Sequence, residues 1–509
     1  MNIKNAKEEI RNTVRAYLQR DESGDYRIPP IRQRPLLLMG PPGIGKTQII
    51  GQVARECGVA LVAYTITHHT RQSAIGLPFI RKKTYGGREY SVTEYTMSEI
   101  IASVYDKMER TGLREGILFI DEINCVSETL VPTMLQFLQG KTFGNQKVPE
   151  GWVIVAAGNP PEYNRSAREF DIVTLDRVRR IDVEPDFGAW KEYAYRQSIH
   201  GSILSYLEIR RENFYRIETT PDGVQFATAR GWEDLSEMIG MREALGLEVG
   251  QELVLQYIQN TAVAKDFANY YELYNKYRED YHVDEILNGK FSERAVAKLQ
   301  HARFDERLSV IGLLLSRLNE RFRQADATDR LTDAVFRGLK DWKALLPETD
   351  GAPDALLLRL ARQMEEELAA RKETGRTDRE EETVAHRCAR ALEGYAKALR
   401  KAEGQAADAF SFVKERFGED VARRKDEIAS VSAMLEHAFD FMAVAFGESQ
   451  EMVVFVTELT ANFYSAKFIL QNGCGPYDTY SRDLMPGEQR KKILEEIDGL
   501  PLSGNGEKP

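Results

Sequence analysis

The sequence predicts an α/β domain, a parallel sheet flanked by helices, followed by a chain that is almost entirely helical. Short apolar runs alternate with amphipathic helix patterns up to Phe187, the alternation that builds a parallel sheet with crossover helices. Beyond Phe187 the strand signals nearly vanish. A glycine-rich loop follows the first apolar run directly, as it does where a buried strand feeds a helix.

Taken in order, Ile10, Val14 and Leu18 at spacing four place a helix over the residues up to Gln19, and turn formers fill 21–25. Residues 35–39 are an apolar strand ending at Gly40. A helix over 48–57 stops at Gly58, and 60–67 is the next strand. Residues 79–96 alternate in short runs about Tyr85-Gly86-Gly87-Arg88, which predicts a hairpin. A helix over 97–108 leads to an apolar strand at 117–120. A helix over 128–139, a second hairpin-like stretch at 141–147 and a strand at 152–157 follow. Residues 190–211 and 232–287 are predicted helical around a loop at 217–228, and 291–470 is helical throughout.

Within that stretch 354–371 and 378–402 form a helical hairpin joined by 372–377. A helix of about 20 residues spans about 30 Å, so its Leu356, Leu360, Met364 and Leu368 serve either a bundle core or, on a projecting arm, a partner. Gly473, Gly475, Pro476 and Pro486 open a polar, frayed tail. The expected organisation is an α/β core over 1–188, a helical lid over 189–290, a C-terminal helical domain over 291–472 and a tail over 473–509.

The 509 residues exceed one ordinary domain of roughly 100–200 residues. With 42 % hydrophobic and 29 % charged residues the composition is globular. A net charge of −10 lacks the footprint of a dedicated nucleic-acid binder, although a local basic patch is compatible with it. Cys57, Cys125, Cys388 and Cys474 stand singly, with no zinc-like spacing, and are expected as buried reduced thiols. His68 and His69 are neighbours on a predicted strand, point to opposite faces, and are assigned a structural or solvent-facing role. Residues 1–20 read as a charged amphipathic helix and not a leader, and no uncharged apolar run reaches ~18 residues. A cytoplasmic protein with no membrane association is expected.

Gly40-Pro41-Pro42-Gly43-Ile44-Gly45-Lys46-Thr47 fits G-x-x-x-x-G-K-[ST] between a predicted strand and helix. Such glycines let backbone N–H groups and a helix N-terminus face a phosphate. Lys46 is placed to neutralise the β- and γ-phosphates, and Thr47 to offer its hydroxyl to Mg²⁺. Asp121-Glu122 ends an apolar strand, at the sheet edge where open α/β sheets bind ligands. Asp121 suits Mg²⁺, directly or through water, and Glu122 suits polarising an attacking water. ATP is the expected nucleotide, because no guanine-reading NKxD occurs and Asn275-Lys276-Tyr277-Arg278 lacks the aspartate.

These residues resemble a known family. The segments 40–47, 117–124 (ILFIDEIN) and 156–160 (AAGNP) look like the Walker A, Walker B and sensor 1 segments of AAA+ ATPases. Leu175-Asp176-Arg177 is similar to the LDRF segment of the MoxR-type and magnesium-chelatase-type branch. That branch also carries one hairpin inserted in its second helix and another before sensor 1, where both hairpin signals fall. The resemblance covers roughly residues 1–290. It implies a five-stranded parallel sheet with a helical lid, Asn159 as sensor 1, and Arg177 as an arginine finger on a neighbouring subunit's γ-phosphate. Val178 stands where the family has phenylalanine, and Arg179 and Arg180 follow, so the finger is one of three arginines. Thr228-Ala229-Arg230-Gly231-Trp232 resembles the sensor 2 segment with Ala229 in place of proline, and Arg230 either serves that role or caps its helix.

A finger in trans implies a ring, a hexamer in the family, and the family's partner is a protein with a von Willebrand A domain. The hairpin tip with Arg81, Lys82, Lys83 and Tyr85 either faces a central pore, where it suits an acidic or extended chain, or is a solvated turn. The expected function is a MoxR-like AAA+ ATPase that hydrolyses Mg-ATP at ring interfaces to remodel a client or assist metal or cofactor insertion. An ATP-driven nucleic-acid motor and a non-hydrolysing nucleotide switch or scaffold are the alternatives. The acidic balance opposes the first, and the complete set Lys46, Asp121, Glu122, Asn159 and Arg177 opposes the second.

Overall fold

The computed structural model describes residues 1–68, 74, 76–127, 130–143, 146–164, 166–221, 223–347, 352–375, 377–402 and 409–484. Two compact units divide the chain. One is Met1–Ala189 with Glu367–Arg379, and the other is Trp190–Glu366 with the residues from Glu380 on.

The first unit is built on strands β1 (Leu36–Met39), β2 (Ala60–Thr65), β5 (Gly116–Asp121), β8 (Trp152–Gly158) and β9 (Arg179–Asp182). They form a parallel sheet in the order β2-β5-β8-β1-β9. All four residues of β1 and all seven of β8 are buried, as strands covered on both faces must be. Helices α1 (Ile3–Tyr17) and α2 (Lys46–Cys57) bury Ile10, Val14, Ile50 and Val53. On the other side Ile100, Ile101 and Val104 of α3 (Glu99–Thr111) and Met134, Phe137 and Leu138 of α4 (Val131–Gly140) form one core with Leu37, Leu118, Ile120 and Ile154.

Between β2 and α3 stands the antiparallel hairpin β3 (Pro78–Tyr85) and β4 (Arg88–Tyr95). Its two-residue turn, Gly86-Gly87, has φ of 57° and 81°, the left-handed pair that matches strand twist and that glycine adopts without strain. After α4, β6 (Thr142–Phe143) pairs with β7 (Gln146–Lys147). The tip of this second hairpin, residues 144 and 145, lies outside the described residues.

Several expectations need correction. The second strand ends at Thr65, and Ile66–His68 is a 3-10 turn, so the strand argument for His68 and His69 fails; His69 lies outside the described residues. The helix expected to begin at 128 starts at Val131, and 128 and 129 lie outside the description. β9 went unrecognised as a strand because only Ile181 of its four residues is buried, so two arginines and an aspartate hide the apolar run. Cys388 and Cys474 are buried, but Cys57 and Cys125 are partly exposed.

The second unit is helical apart from one hairpin. Its first helices are α6 (Phe187–Arg196), which begins just before the unit, α7 (Gly201–Ile209), α8 (Ala229–Leu245), α9 (Gln251–Tyr257), α10 (Thr261–Tyr281), α11 (Val283–Leu287) and α12 (Glu293–Gln300). They are followed by α13 (Phe304–Leu345), α14 (Pro353–Glu373) and α15 (Arg379–Lys401), of which Glu367–Glu373 and Arg379 belong to the first unit, and by α16 (Ala409–Phe446), α17 (Gln450–Ala461), α18 (Phe463–Asn472) and α19 (Gly475–Leu484). The expected loop at 217–228 is instead the hairpin β10 (Arg216–Thr220) and β11 (Gly223–Ala227).

Position 290 is not a boundary here. A single core joins Tyr274, Tyr281 and Leu299 to Phe439, Met442, Phe455, Phe468 and Tyr477, so the expected lid and C-terminal domain share their buried surface. The expected tail at 473 is the helix α19. Cys474 and Tyr477 enter that core, and Pro476 sits in the first turn, where its missing N–H costs nothing. Pro486 and the polar end lie outside the described residues. Leu356 is buried, with Leu360 and Met364 packed beside Trp342, Leu392 and Tyr395, so these residues serve a bundle core. Helix α16 is long and apolar enough to cross a membrane by composition, and its Val431, Leu435, Phe439 and Met442 lie in the core.

One interaction in this unit has a measurable pH signature. Glu243 on α8 accepts from His200 Nε2 at 3.2 Å and from Tyr271 Oη at 2.8 Å, with Arg278 nearby. Ser202 N–H donates to His200 Nδ1, which leaves the Nε2 proton for Glu243. The His200 hydrogen bond leads the effects that hold the Glu243 carboxyl down at about 2, against an ordinary 4.5. A depressed folded-state pKa contributes stability that is complete above 4.5 and lost as pH falls toward 2. Glu243→Gln is therefore expected to lower the melting temperature at neutral pH, with the gap from wild type closing between pH 4.5 and 2. Thermal melts of both proteins across that range check it.

Candidate functional site

The carboxyl ends of β1, β8 and β5 lie side by side, and each releases part of one cluster. From β1 the chain enters the loop Gly40–Gly45. A Cβ at Gly40 would come within 2.5 Å of the Val183 carbonyl oxygen, so only glycine fits the turn. Gly43 and Gly45 have φ of 74° and 93°, and Gly45 opens α2, whose first N–H groups have no partner within the helix.

Lys46 is buried. Its Nζ donates to the carbonyl oxygens of Gly40 at 2.7 Å and Pro41 at 2.8 Å, and to Asn159 Oδ1 at 2.8 Å. The next residue, Thr47, donates its hydroxyl to Asp121 Oδ2 at 2.8 Å, across a separation of 74 positions. Asp121 Oδ1 accepts the Glu122 N–H at 2.9 Å. Glu122 itself has φ of 55°, a left-handed backbone that costs a non-glycine residue about 1–2 kcal/mol. Such strain persists only where the surroundings over-determine it.

The geometry suits a magnesium–nucleotide. A loop whose Gly40 leaves no room for a Cβ, a helix start and a buried ammonium suit phosphate oxygens. A hydroxyl and a carboxylate already within hydrogen-bond reach of each other are the hard oxygen donors that Mg²⁺ takes. Among the described residues no cluster of three or more His, Cys, Asp or Glu forms an all-protein metal cage. Mg²⁺ characteristically keeps several waters and is shared with phosphates.

Gly40–Thr47, Asp121, Glu122 and Asn159 are thus brought to one edge. Of the expected site residues in the same unit, the three arginines at 177–180 are not in this cluster. β9 pairs with β1 in parallel, with Arg179 opposite Leu36 and Asp182 opposite Met39. At about 3.3 Å per residue, Arg179 lies about 13 Å along the strand direction from the level of Gly40. Arg177 precedes the amino end of β9, in the turn that leads into it.

The three arginines are not equivalent. Arg179 donates to Thr13 Oγ1 at 2.8 Å and pairs with Glu9, and Arg180 pairs with Asp182. The Arg177 side chain is exposed and makes no hydrogen bond or ion pair among the described residues. Arg230 belongs to the second unit, exposed in the first turn of α8. Thr228 Oγ1 caps that helix by accepting from Gly231 N–H at 3.2 Å, so Arg230 is not the cap.

The exposed hairpin β3–β4 carries Arg81, Lys82, Lys83 and Tyr85 as expected, but its basic groups are engaged. Arg81 and Lys83 pair with Glu94, and Lys82 with Glu89. Exposed Phe79, Ile80, Tyr85 and Tyr90 give it an apolar surface that the basic reading overlooked. Sequence reasoning also missed Asn124. It lies two positions past Glu122 and is 3 % exposed, tied to both the Asn159 and Arg168 backbones. A buried amide directly after a strand-end carboxylate pair was the available signal.

Comparison with known proteins agrees with the site. The profile of the ATPase family associated with various cellular activities (AAA) matches residues 36–176. The ATPase family gene 2 protein homolog B of Rattus norvegicus is 28 % identical over 188 residues, which is 35 % of this chain and 21 % of that protein. The match therefore spans about a fifth of the relative's length. A crystal structure of the FIGL-1 AAA domain in complex with ADP aligns over 53 % of this chain and 81 % of that one. At 15 % identity and a TM-score of 0.30, that alignment leaves the fold resting on the strand order itself. The matched segment runs from β1 through the phosphate loop, Asp121 and Glu122 and ends just before β9, so this part of the chain is similar to an AAA ATPase domain.

Proposed function

We propose that the first unit hydrolyses Mg-ATP, that Arg177 of a neighbouring copy completes each site, and that the resulting ring remodels a protein client. The observation that carries this reading is the convergence of Lys46, Thr47, Asp121 and Asn159 through hydrogen bonds of 2.8 Å. Bound Mg²⁺ supplies Lewis-acid stabilisation of the phosphate oxygens. Thr47 and Asp121 hold it, Lys46 meets the β- and γ-phosphates, Glu122 accepts the proton of the attacking water, and Asn159 orients that water. Supporting the trans assignment, Arg177 is the arginine of its segment that makes no hydrogen bond or ion pair among the described residues, and it precedes the amino end of β9.

The narrower assignment to a MoxR-type branch, with hexameric assembly and a von Willebrand A-domain partner, is part of this proposal. It is supported by the places of the two hairpins, one between β2 and α3 and one between α4 and β8. On this reading the exposed face of β3–β4 touches the client.

A shared site makes turnover cooperative in protein. ATP turnover per subunit, measured with Mg²⁺ across a dilution series, is expected to rise with concentration as the assembly seen by light scattering forms. Constant specific turnover in a species shown to be monomeric would contradict the shared site.

A further inference from the structure

We propose that Asn124 is a positioning residue of this site, locking the turn that carries Glu122 to the backbone beside Asn159. The inference rests on the ATPase reading above. The carboxamide Nδ2 donates to the Asn159 carbonyl oxygen at 2.7 Å and to the Arg168 carbonyl oxygen at 3.3 Å, and the Asn124 carbonyl oxygen accepts the Arg168 N–H at 3.0 Å. Two carbonyl acceptors on one end fix the amide orientation. Asn124 therefore staples three segments: the turn after β5, the residue that follows β8, and the loop that returns toward β9.

The stapled turn is the strained one. Glu122 is left-handed, and on its far side Ile123 N–H is held by the Ala157 carbonyl oxygen at 2.9 Å. Asp121 fixes Glu122 from below, and Ile123 and Asn124 fix it from above, against β8 and its exit. The packing leaves no slack, since a Cβ on Gly158 would approach Asn124 Oδ1 to 2.5 Å. Asn159 also holds Lys46 through its side chain. Asn124 thereby sets where Glu122 stands relative to Lys46 and Asn159.

Two variants remove this lock in different ways. Asn124→Asp keeps the shape but turns a donor into an acceptor facing two carbonyls. Gly158→Ala keeps the Asn124 side chain chemically intact and pushes it aside. For both, and for Asn124→Ala, kcat is expected to fall about 100-fold, the scale of a small misplacement of a catalytic group. For the two Asn124 variants the KM for ATP and the affinity for a fluorescent ATP analogue stay at the wild-type level, because the Asn124 side chain bonds the Asn159 and Arg168 backbones and not the phosphate loop.

Melting temperatures measured alongside identify any variant that fails to fold, and the remaining variants then decide. Unchanged kcat in a folded variant would overturn the positioning role while leaving the ATPase reading intact. A parallel loss of kcat and nucleotide affinity would overturn it in favour of a general structural role. A wild-type protein that binds the analogue without hydrolysing ATP would overturn the ATPase reading and the inference together.

Discussion

Glu122→Gln is expected to leave a protein that binds ATP and scarcely hydrolyses it. The substitution preserves shape and the backbone, so the Asp121 hydrogen bond to residue 122 and the Thr47–Asp121 pair stay as they are. What it removes is the carboxylate that, on the proposed mechanism, takes the proton of the attacking water. A positioned general base contributes typically about 10²–10⁴-fold, and kcat should fall by about that factor. Lys46, Thr47 and the Gly40 loop are unaltered, so affinity for a fluorescent ATP analogue should match wild type. Phosphate release and analogue titration on the same preparation separate the two effects. Turnover at the wild-type rate would remove Glu122 from the mechanism, and lost binding would mean that it shapes the nucleotide pocket.

The second large effect is expected from Arg177→Ala, with about 10³–10⁵-fold lost from kcat, the range in which arginine fingers act. The guanidinium fork matches charge that spreads over phosphoryl oxygens in the transition state, and lysine does not reproduce it, so Arg177→Lys should also be poor. Arg179 and Arg180 serve as internal controls. Arg179 joins β9 to Thr13 and Glu9 of α1, so Arg179→Ala should lower the melting temperature and leave the turnover of folded protein near wild type. The finger and the base belong to different subunits on this reading, so mixing Arg177→Ala with Glu122→Gln should restore part of the activity. Interfaces that combine an intact Glu122 with an intact Arg177 then form. Failure of mixed assemblies to recover, with both variants assembled, would place the two groups in the same subunit.

Legibility of the fold differed sharply between the units. The strands at 36–39, 116–121 and 152–158 were plain in the sequence because they are buried on both faces and read as unbroken apolar runs. β9 and the pair β10–β11 were not, since each has exposed positions that break the apolar signal. The helices of the second unit were visible from periodicity, but their grouping was not. Periodicity says that a helix has an apolar face and is silent on what covers it. That is why Tyr274 and Tyr281, expected in a lid, and Tyr477, expected in a frayed tail, belong to one core.

The sequence by itself determined the nucleotide loop and its neighbouring carboxylates. A phosphate grip is a local device, made by consecutive residues at one strand-to-helix turn, and its glycines, lysine and threonine are written side by side. Only the tertiary structure decided what the loop works with. It joined Lys46 to Asn159 across 113 positions, set Arg179 and Arg180 into ion pairs while leaving Arg177 unengaged, and buried Asn124 as the staple of a strained turn. Those outcomes depend on strand order and on which polar groups find partners once water is excluded, and neither is a property of any short stretch of chain.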